Sequence, residues 1–205
     1  MIDGVHLLDG SNGEMDSIFL SDMEIYPQQY YHIYNRSNNA EVVFKSEENY
    51  DFFLCKYQKY ISGKVETLAY CLMPTHFHFL VFIQSAETTI IKNNFGILLS
   101  SYTKAINSRH KRHGSLFQLH TKAKPVDSDN YLMTLAAYIH QNPIRAGLTN
   151  KLENWKYTSY RDYVGLENTG MINKETLLQQ CGTIEEFKLF SEQLLLTVDS
   201  KYWIS

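Results

Sequence analysis

The distribution of apolar residues along the chain predicts several short strands. Aromatic and β-branched residues concentrate in 29–37, 65–73 and 76–84, a composition typical of strands. Only a Pro-Thr dipeptide separates the last two segments, and so short a link predicts an antiparallel hairpin. The basic segment 114–126 is predicted to be extended and to provide a fourth strand.

Apolar residues recur at intervals of three and four in 46–63, 88–110 and 129–142, which predicts amphipathic helices. Pro143 is expected to stop or kink the third helix. The order strand–helix–strand–strand–helix–strand is typical of a ferredoxin-like sheet. We therefore predict an α+β fold, with a ferredoxin-like antiparallel sheet, helices on one face and a C-terminal helical extension.

The same pattern divides the chain of 205 residues into three parts. Residues 1–22 show no sustained periodicity and are interpreted as an N-terminal arm, 23–150 as the main domain, and 151–205 as a connector with a helical tail. The chain contains no apolar run long enough for a membrane span and no secretion-signal pattern near its start. Its three cysteines lack a CxxC pair, so we expect a cytoplasmic protein without a disulfide scaffold.

Charge is distributed unevenly, although the whole chain has a formal net charge of only −3. Residues 88–126 contain seven Lys and Arg and no Asp or Glu, and the other 12 basic and 22 acidic residues give −10. Clustered cations with interleaved aromatic residues favour nucleic-acid binding. The candidate DNA-binding residues are Lys104, Arg109, Lys111, Arg112, Lys122 and Lys124. A solvated basic helix end is the alternative.

Two histidines in the string MPTHFHFLV form the first candidate site. His76 and His78 are two residues apart on a predicted strand, so they project from the same face of the sheet. Two adjacent imidazoles can bind a divalent cation. The alternative is a pair of surface or half-buried histidines with no ligand.

A second candidate site lies in the string AAYIHQNPIRAGL. Tyr138 and Asn142 are four residues apart, which places them on one face of a helix. A tyrosine hydroxyl can act as a covalent nucleophile, and an amide oxygen can serve as a hard metal ligand. The alternatives are a half-buried tyrosine and an asparagine that caps the short turn beginning at Pro143.

Five strings, in order from residue 29 to residue 163, give the chain a family resemblance. They are YYHIYNRSN, CLMPTHFHFLV, SSYTKAINSRHKRHGSLFQ, YIHQNPIRAGL and ENWKYTSYRDY. Together they resemble the single-tyrosine HUH transposases, and most closely the REP-associated tyrosine transposases. The chain departs from that pattern at Thr75, where Asn is usual, at Leu119–Thr121 in place of Gly-Arg-Phe, and at Tyr157–Thr158 in place of Trp-Ser.

The resemblance implies a metal-dependent enzyme that cleaves and rejoins single-stranded DNA at hairpin-bearing sequences through a 5′-phosphotyrosine intermediate. It implies that Tyr138 is the nucleophile and that His76, His78 and Asn142 hold one Mg²⁺ or Mn²⁺, with Gln141 as the substitute ligand if Pro143 rotates the helix. Arg36 and Arg145, beside the motifs, are secondary candidates for DNA contact. The expected partner is hairpin-bearing single-stranded DNA, with a homodimer as a further option, in a nucleoid-associated setting.

Two other functions are compatible with parts of the sequence. A domesticated protein could bind DNA hairpins without strand transfer and still retain the site residues. An RNA-binding ferredoxin-like module is a third hypothesis, but it leaves His76, His78 and Tyr138 without a role.

Overall fold

The computed structural model describes residues 23–193. The predicted N-terminal arm (1–22) and the last part of the predicted tail (194–205) lie outside the described residues. The described part contains four strands and six α-helices. In chain order these are β1 (Gln29–Arg36), α1 (Glu47–Tyr60), β2 (Glu66–Met73), β3 (His76–Ile83), α2 (Thr88–His110), β4 (Lys122–Val126), α3 (Asp129–Arg145), α4 (Tyr160–Tyr163), α5 (Glu175–Cys181) and α6 (Ile184–Glu192).

The four strands form one antiparallel sheet in the order β2-β3-β1-β4. The predicted hairpin joins β2 to β3, and its turn is held by the chain between β1 and α1. Ser37 N donates to the Thr75 carbonyl at 2.7 Å, and Val43 N donates to the Pro74 carbonyl at 2.8 Å. This topology confirms the predicted α+β fold with a ferredoxin-like sheet.

One face of the sheet is covered by α1 and α2 over an aromatic core. Alternate residues of β3 point to this face, and Phe77 and Phe79 are fully buried there. Tyr57 of α1 stacks on Phe79 with ring centroids 4.0 Å apart and nearly parallel planes. Aromatic residues at helical spacing in α1 and α2 thus meet aromatic residues at strand spacing in β3.

The opposite face carries α3, so helices cover both faces where the sequence led us to expect one. Two long helices do share a face as predicted, and α3 adds a further layer. The reason lies in the other alternate positions of the strands, where Leu80 and Cys71 are also buried. The apolar stripe of α3, including Leu135 and Ile139, packs against them.

The chain after α3 follows the outer edge of β2 and returns to α3. Leu72 N donates to the Tyr157 carbonyl at 2.9 Å, and Trp155 Nε1 donates to the Leu72 carbonyl at 3.0 Å. Phe187 of α6 stacks on Tyr163 with ring centroids 4.3 Å apart. Residues 151–193 are therefore part of the packed structure. None of the helices within residues 23–193 combines the length and apolar composition needed to cross a bilayer.

Candidate active site

Strand register brings the two histidines of β3 next to residues of β1. His76 pairs with Arg36 and His78 pairs with Tyr34, so all four project from the face that carries α3. The rings of His76 and His78 are perpendicular, with centroids 5.0 Å apart. The predicted side-by-side arrangement of the two imidazoles is therefore present.

Helix α3 carries the other two candidates to the same place. Tyr138 and Asn142 lie on its sheet-facing side, and with His76 and His78 they line a cavity of about 560 Å³. Arg36 and Arg145, the secondary candidates, also line it. The ring of Tyr138 is perpendicular to that of His78, with centroids 6.2 Å apart. Side chains from β1, β3 and α3 thus converge on one cavity.

The hydrogen bonds of His78 leave one of its ring nitrogens available. His78 is fully buried, and its Nδ1 lies 2.9 Å from Nε2 of His32 on β1. Within residues 23–193, Nε2 of His78 has no hydrogen-bond partner. Because buried polar atoms are normally paired, this nitrogen is suited to bind a group that enters the cavity. Nδ1 of His76 lies 3.0 Å from the Thr75 hydroxyl.

Both histidines of β3 are held in their neutral form at neutral pH. Burial, with a smaller effect from the Arg36 guanidinium, lowers the pKa of His76 to about 4. Burial also lowers the pKa of His78 well below its usual value, and the neighbouring imidazoles of His32 and His76 add to this effect. Neutral imidazoles keep the lone pair that a metal ligand or hydrogen-bond acceptor needs.

Tyr138 retains its proton at neutral pH. Burial raises the pKa of its hydroxyl, while the Arg145 guanidinium acts in the opposite direction and Tyr34 adds to the increase. The guanidinium carbon of Arg145 lies 5.6 Å from the centre of the Tyr138 ring. A reaction that uses Tyr138 as a nucleophile must therefore remove this proton, and Arg145 is placed to favour the phenolate.

Helix α3 continues through Pro143 to Arg145, where the sequence predicted a stop or kink. Proline cannot donate the backbone hydrogen bond that the carbonyl of Ile139 would receive in a regular helix. The side chain of Asn142 supplies a donor instead, because its Nδ2 contacts the carbonyls of Tyr138 at 3.0 Å and Ile139 at 3.4 Å. The amide oxygen of Asn142 remains available for the cavity.

Gln141, the substitute ligand in the sequence-based interpretation, is engaged elsewhere. Its Nε2 donates to the carbonyls of Ser191 and Gln193, each at 2.7 Å, and its Oε1 accepts from Arg145 at 3.2 Å. Gln141 therefore joins α3 to the end of α6, and Asn142 is the amide that lines the cavity.

The candidate DNA-binding residues fall into two groups. Lys122 and Lys124 on β4 pair with Tyr34 and His32, so they lie on the same sheet face as the cavity. The other group belongs to the end of α2 and the following loop, on the side of the opposite face, and comprises Lys104, Arg109, Lys111 and Arg112.

Two members of the second group form ion pairs, one with a residue of α1 and one with a residue just before it. Arg109 contacts Glu48 and Arg112 contacts Glu41, each at 2.7 Å. Arg112 also donates to Asn107 Oδ1 at 2.8 Å. The basic segment, continuous in sequence, is thus divided by the fold.

Two residues near the site were not singled out from the sequence. His32 contacts His78 directly, and the Tyr34 ring lies 4.8 Å from that of His32 and 6.2 Å from that of His78. The signal was the two-residue spacing of His32, Tyr34 and Arg36 on a predicted strand, which assigns them to one face. The contact of His32 and Tyr34 with His78 could not be predicted, because it depends on the order of the strands in the sheet.

Comparison with known proteins supports the fold. No family model and no curated protein matches this chain. A solved structure of a REP-associated tyrosine transposase bound to a REP hairpin is similar, with a TM-score of 0.55 and 12% identity over 76% of this chain and 90% of that chain. A bacterial tRNA(His) guanylyltransferase-like protein in complex with GTP aligns at a TM-score of 0.39 and 9% identity, over 64% and 72% of the two chains. The resemblance to REP-associated tyrosine transposases is thus confirmed at the level of the fold.

Proposed function

We propose that this protein is a single-stranded DNA transposase or nickase that cleaves and rejoins DNA at hairpin-bearing sequences through a 5′-phosphotyrosine intermediate. One observation carries the proposal: His76, His78, Tyr138 and Asn142, from two separate segments, line one cavity. The similar solved structure is of a tyrosine transposase bound to a REP hairpin, which supports hairpin DNA as the substrate class.

The reaction assigned to this cavity is a transesterification at phosphorus. The Tyr138 hydroxyl gives its proton to water and attacks the scissile phosphate, forming a bond between its oxygen and phosphorus. The bond from phosphorus to the 3′ oxygen breaks, and that oxygen takes a proton from water to become a free 3′-hydroxyl, so no net proton is consumed. A second 3′-hydroxyl reverses the step and joins the strands, so no nucleotide cofactor is consumed.

We assign a divalent cation to three donors among the residues that line the cavity. The unpaired Nε2 of buried His78, the neutral imidazole of His76 and the amide oxygen of Asn142 give two nitrogen ligands and one oxygen ligand. Neutral imidazoles are common ligands of divalent transition metals, and an amide oxygen is a ligand that suits Mg²⁺ and Mn²⁺. When bound, the cation would neutralise the charge that develops on the phosphate oxygens.

We assign the positive side chains around the cavity two roles: favouring ionisation of Tyr138 and binding DNA phosphates. Arg145 lies beside the Tyr138 ring and favours its ionised form. Arg36 lines the cavity next to His76 and is suited to contact a phosphate. Lys122 and Lys124 continue this positive surface along the same sheet face, and we assign the first DNA contacts to them.

The residues at the end of α2 are proposed as a second DNA contact area, farther from the cavity. Lys104, Lys111 and Arg109 are exposed, and Arg112 is partly buried by its pairing with Glu41. Exposed ion pairs are weak, so a phosphate can replace Glu48 as the partner of Arg109 at little energetic cost.

The central test is covalent capture of the DNA. Purified protein incubated with hairpin-bearing single-stranded DNA and Mn²⁺ should yield an adduct that survives SDS. Tyr138→Phe should reduce its formation by about 10⁴-fold or more, because the nucleophile is absent. The matched control is Tyr131→Phe, seven residues earlier on nearly the same helix face, which should retain the adduct. An adduct that persists in Tyr138→Phe would refute the nucleophile assignment.

The cation requirement is tested in the same assay. Chelation, or the double substitution His76→Ala with His78→Ala, should remove both Mn²⁺ binding and the adduct. Mn²⁺ binding that survives the double substitution would place the cation elsewhere. Tight hairpin binding without any adduct, in the unmodified protein with Mn²⁺, would favour the alternative of a domesticated hairpin-binding protein.

A further inference from the structure

His32 occupies a position on β1 from which it reaches a candidate cation ligand. It is fully buried, and its Nε2 lies 2.9 Å from Nδ1 of His78 on the neighbouring strand. The two rings are stacked, with centroids 5.1 Å apart and planes 15° apart. The contact is diagonal across the sheet, since His32 pairs in register with Leu80 and His78 with Tyr34.

The surroundings of His32 leave its ring little freedom to turn away. The Tyr34 ring lies 4.8 Å from the His32 ring, and the residue that pairs with His32 on the neighbouring strand β4 is Lys124. Within residues 23–193, its other nitrogen, Nδ1, has no hydrogen-bond partner. The only polar contact of this imidazole among the described hydrogen bonds is therefore the one to His78.

One proton is shared between the facing nitrogens, and its position decides what the far side of His78 can do. If the proton is on Nδ1 of His78, that ring donates to His32 and its Nε2 carries a lone pair. If the proton is on Nε2 of His32, the bond is reversed and Nε2 of His78 carries a hydrogen. Only the first arrangement allows His78 to bind a cation through the nitrogen on the cavity side.

We propose that His32 is a positioning residue that accepts the Nδ1 proton of His78 and so holds the Nε2 lone pair of His78 ready for a divalent cation. This inference rests on the proposed function, because it assigns a supporting role within the same site. Metal-binding histidines generally donate their second ring nitrogen to a fixed acceptor, and here the acceptor is another buried imidazole. His32 itself does not line the cavity and is not assigned contact with DNA.

Two substitutions of matched size separate the hydrogen-bond role from packing. His32→Phe keeps a buried aromatic ring but removes the acceptor. His32→Gln places a carbonyl oxygen near the position of Nε2 and keeps the acceptor. Isothermal titration of the full-length protein with Mn²⁺ should show about 10- to 100-fold weaker binding for His32→Phe. For His32→Gln, the Mn²⁺ affinity should be largely restored, and hairpin binding without a cation should be unchanged in both variants.

Folding is checked by thermal unfolding of each variant. A folded His32→Phe variant that binds Mn²⁺ as tightly as the unmodified protein would overturn the inference. If His32→Phe fails to fold, ¹⁵N NMR of the unmodified protein with Zn²⁺ provides the decision. A protonated Nδ1 on His78 together with a metal-bound Nε2 supports the proposal, and a protonated Nε2 on His78 contradicts it.

Failure of this inference is distinguishable from failure of the proposed function. If the unmodified protein binds no Mn²⁺, both the cation site and the proposed role of His32 are refuted. If Mn²⁺ binding depends on His76 and His78 but not on His32, only the proposed role of His32 is refuted.

Discussion

The two faces of the sheet are made by the same strands but are chemically opposite. On β3, Phe77 and Phe79 enter an aromatic core under α1 and α2, while His76 and His78 face a cavity beside α3. Over residues 76–79, β3 thus alternates between candidate reactive residues and packing residues. The aromatic side can hold the strand rigid while the other side presents groups whose hydrogen bonds are incomplete.

The difference extends to buried histidines. His32, His78 and His140 are all fully buried, and all lie in the cavity-side half, either on the sheet face or in the packed layer of α3. In the core under α1 and α2, the buried hydroxyls of Tyr57 and Thr67 are paired at 2.7 Å, whereas Thr103 Oγ1 has no hydrogen-bond partner within residues 23–193. Stability and function should therefore respond differently to changes on the two sides.

The largest expected effect comes from the aromatic side. Phe79→Ala removes a fully buried ring stacked on Tyr57 and should lower the free energy of unfolding by about 3–5 kcal/mol. His76→Ala, three residues away on the opposite face, should lower it by less than about 1 kcal/mol. Urea unfolding of both variants measures the contrast. Equal losses of unfolding free energy would show that residues on the cavity face contribute as much to stability as residues on the aromatic face.

An intermediate effect should appear when the pH is lowered. Burial lowers the pKa of His140 to about 3, so this imidazole binds its proton more readily in the unfolded chain than in the folded one. The contribution of neutral His140 to the free energy of unfolding is therefore fully present above about pH 6.5. It is lost progressively as the pH falls towards the pKa of His140 in the folded protein.

The pH effect is tested by removing one imidazole. Between pH 5.5 and 4.5, His140 alone should make the free energy of unfolding fall by about 1.4 kcal/mol per pH unit. His140→Gln, which can keep a bond to Ser159, should reduce the slope of unfolding free energy against pH by this amount. An unchanged slope would exclude His140 as a source of acid sensitivity in the cavity-side half.

The smallest effect concerns the two basic groups. The double substitution Lys122→Gln with Lys124→Gln should weaken hairpin DNA binding by about threefold to tenfold. The slope of log affinity against log salt concentration should become shallower by about one to two, the effect of losing one or two phosphate contacts. Lys104→Gln with Lys111→Gln should have a smaller effect, because these residues lie by the opposite face. Equal effects from both pairs, in binding measured across a salt series, would mean that DNA contacts both sides.

Much of the fold was predictable because local patterns were strong. The two-residue alternation in β3 and the short Pro-Thr link predicted the hairpin, and helical spacing predicted α1, α2 and α3. The position of α3 was not predictable, because periodicity shows that a helix has an apolar side but not which sheet face receives it. Pro143 did not stop the helix for a similar reason: a side chain, that of Asn142, supplies a compensating donor.

The candidate site was predictable where spacing alone fixes geometry. His76 with His78, and Tyr138 with Asn142, are local pairs, and the resemblance to a known family suggested that they meet. The contact of His32 with His78 spans 46 residues and depends on strand order and register. The division of the basic segment between two faces likewise depends on the reversal of the chain between α2 and β4.

Asn142 shows how a defect in a backbone can define the direction of a side chain. An amide group has two ends of similar shape, and either could face the cavity if the helix were regular. Because Pro143 leaves the carbonyl of Ile139 without its usual donor, Nδ2 of Asn142 donates to it at 3.4 Å, in addition to its contact of 3.0 Å with the Tyr138 carbonyl. The oxygen end is then the one left for the cavity that Asn142 lines. An imperfection of the main chain thus performs a task that would otherwise need another residue.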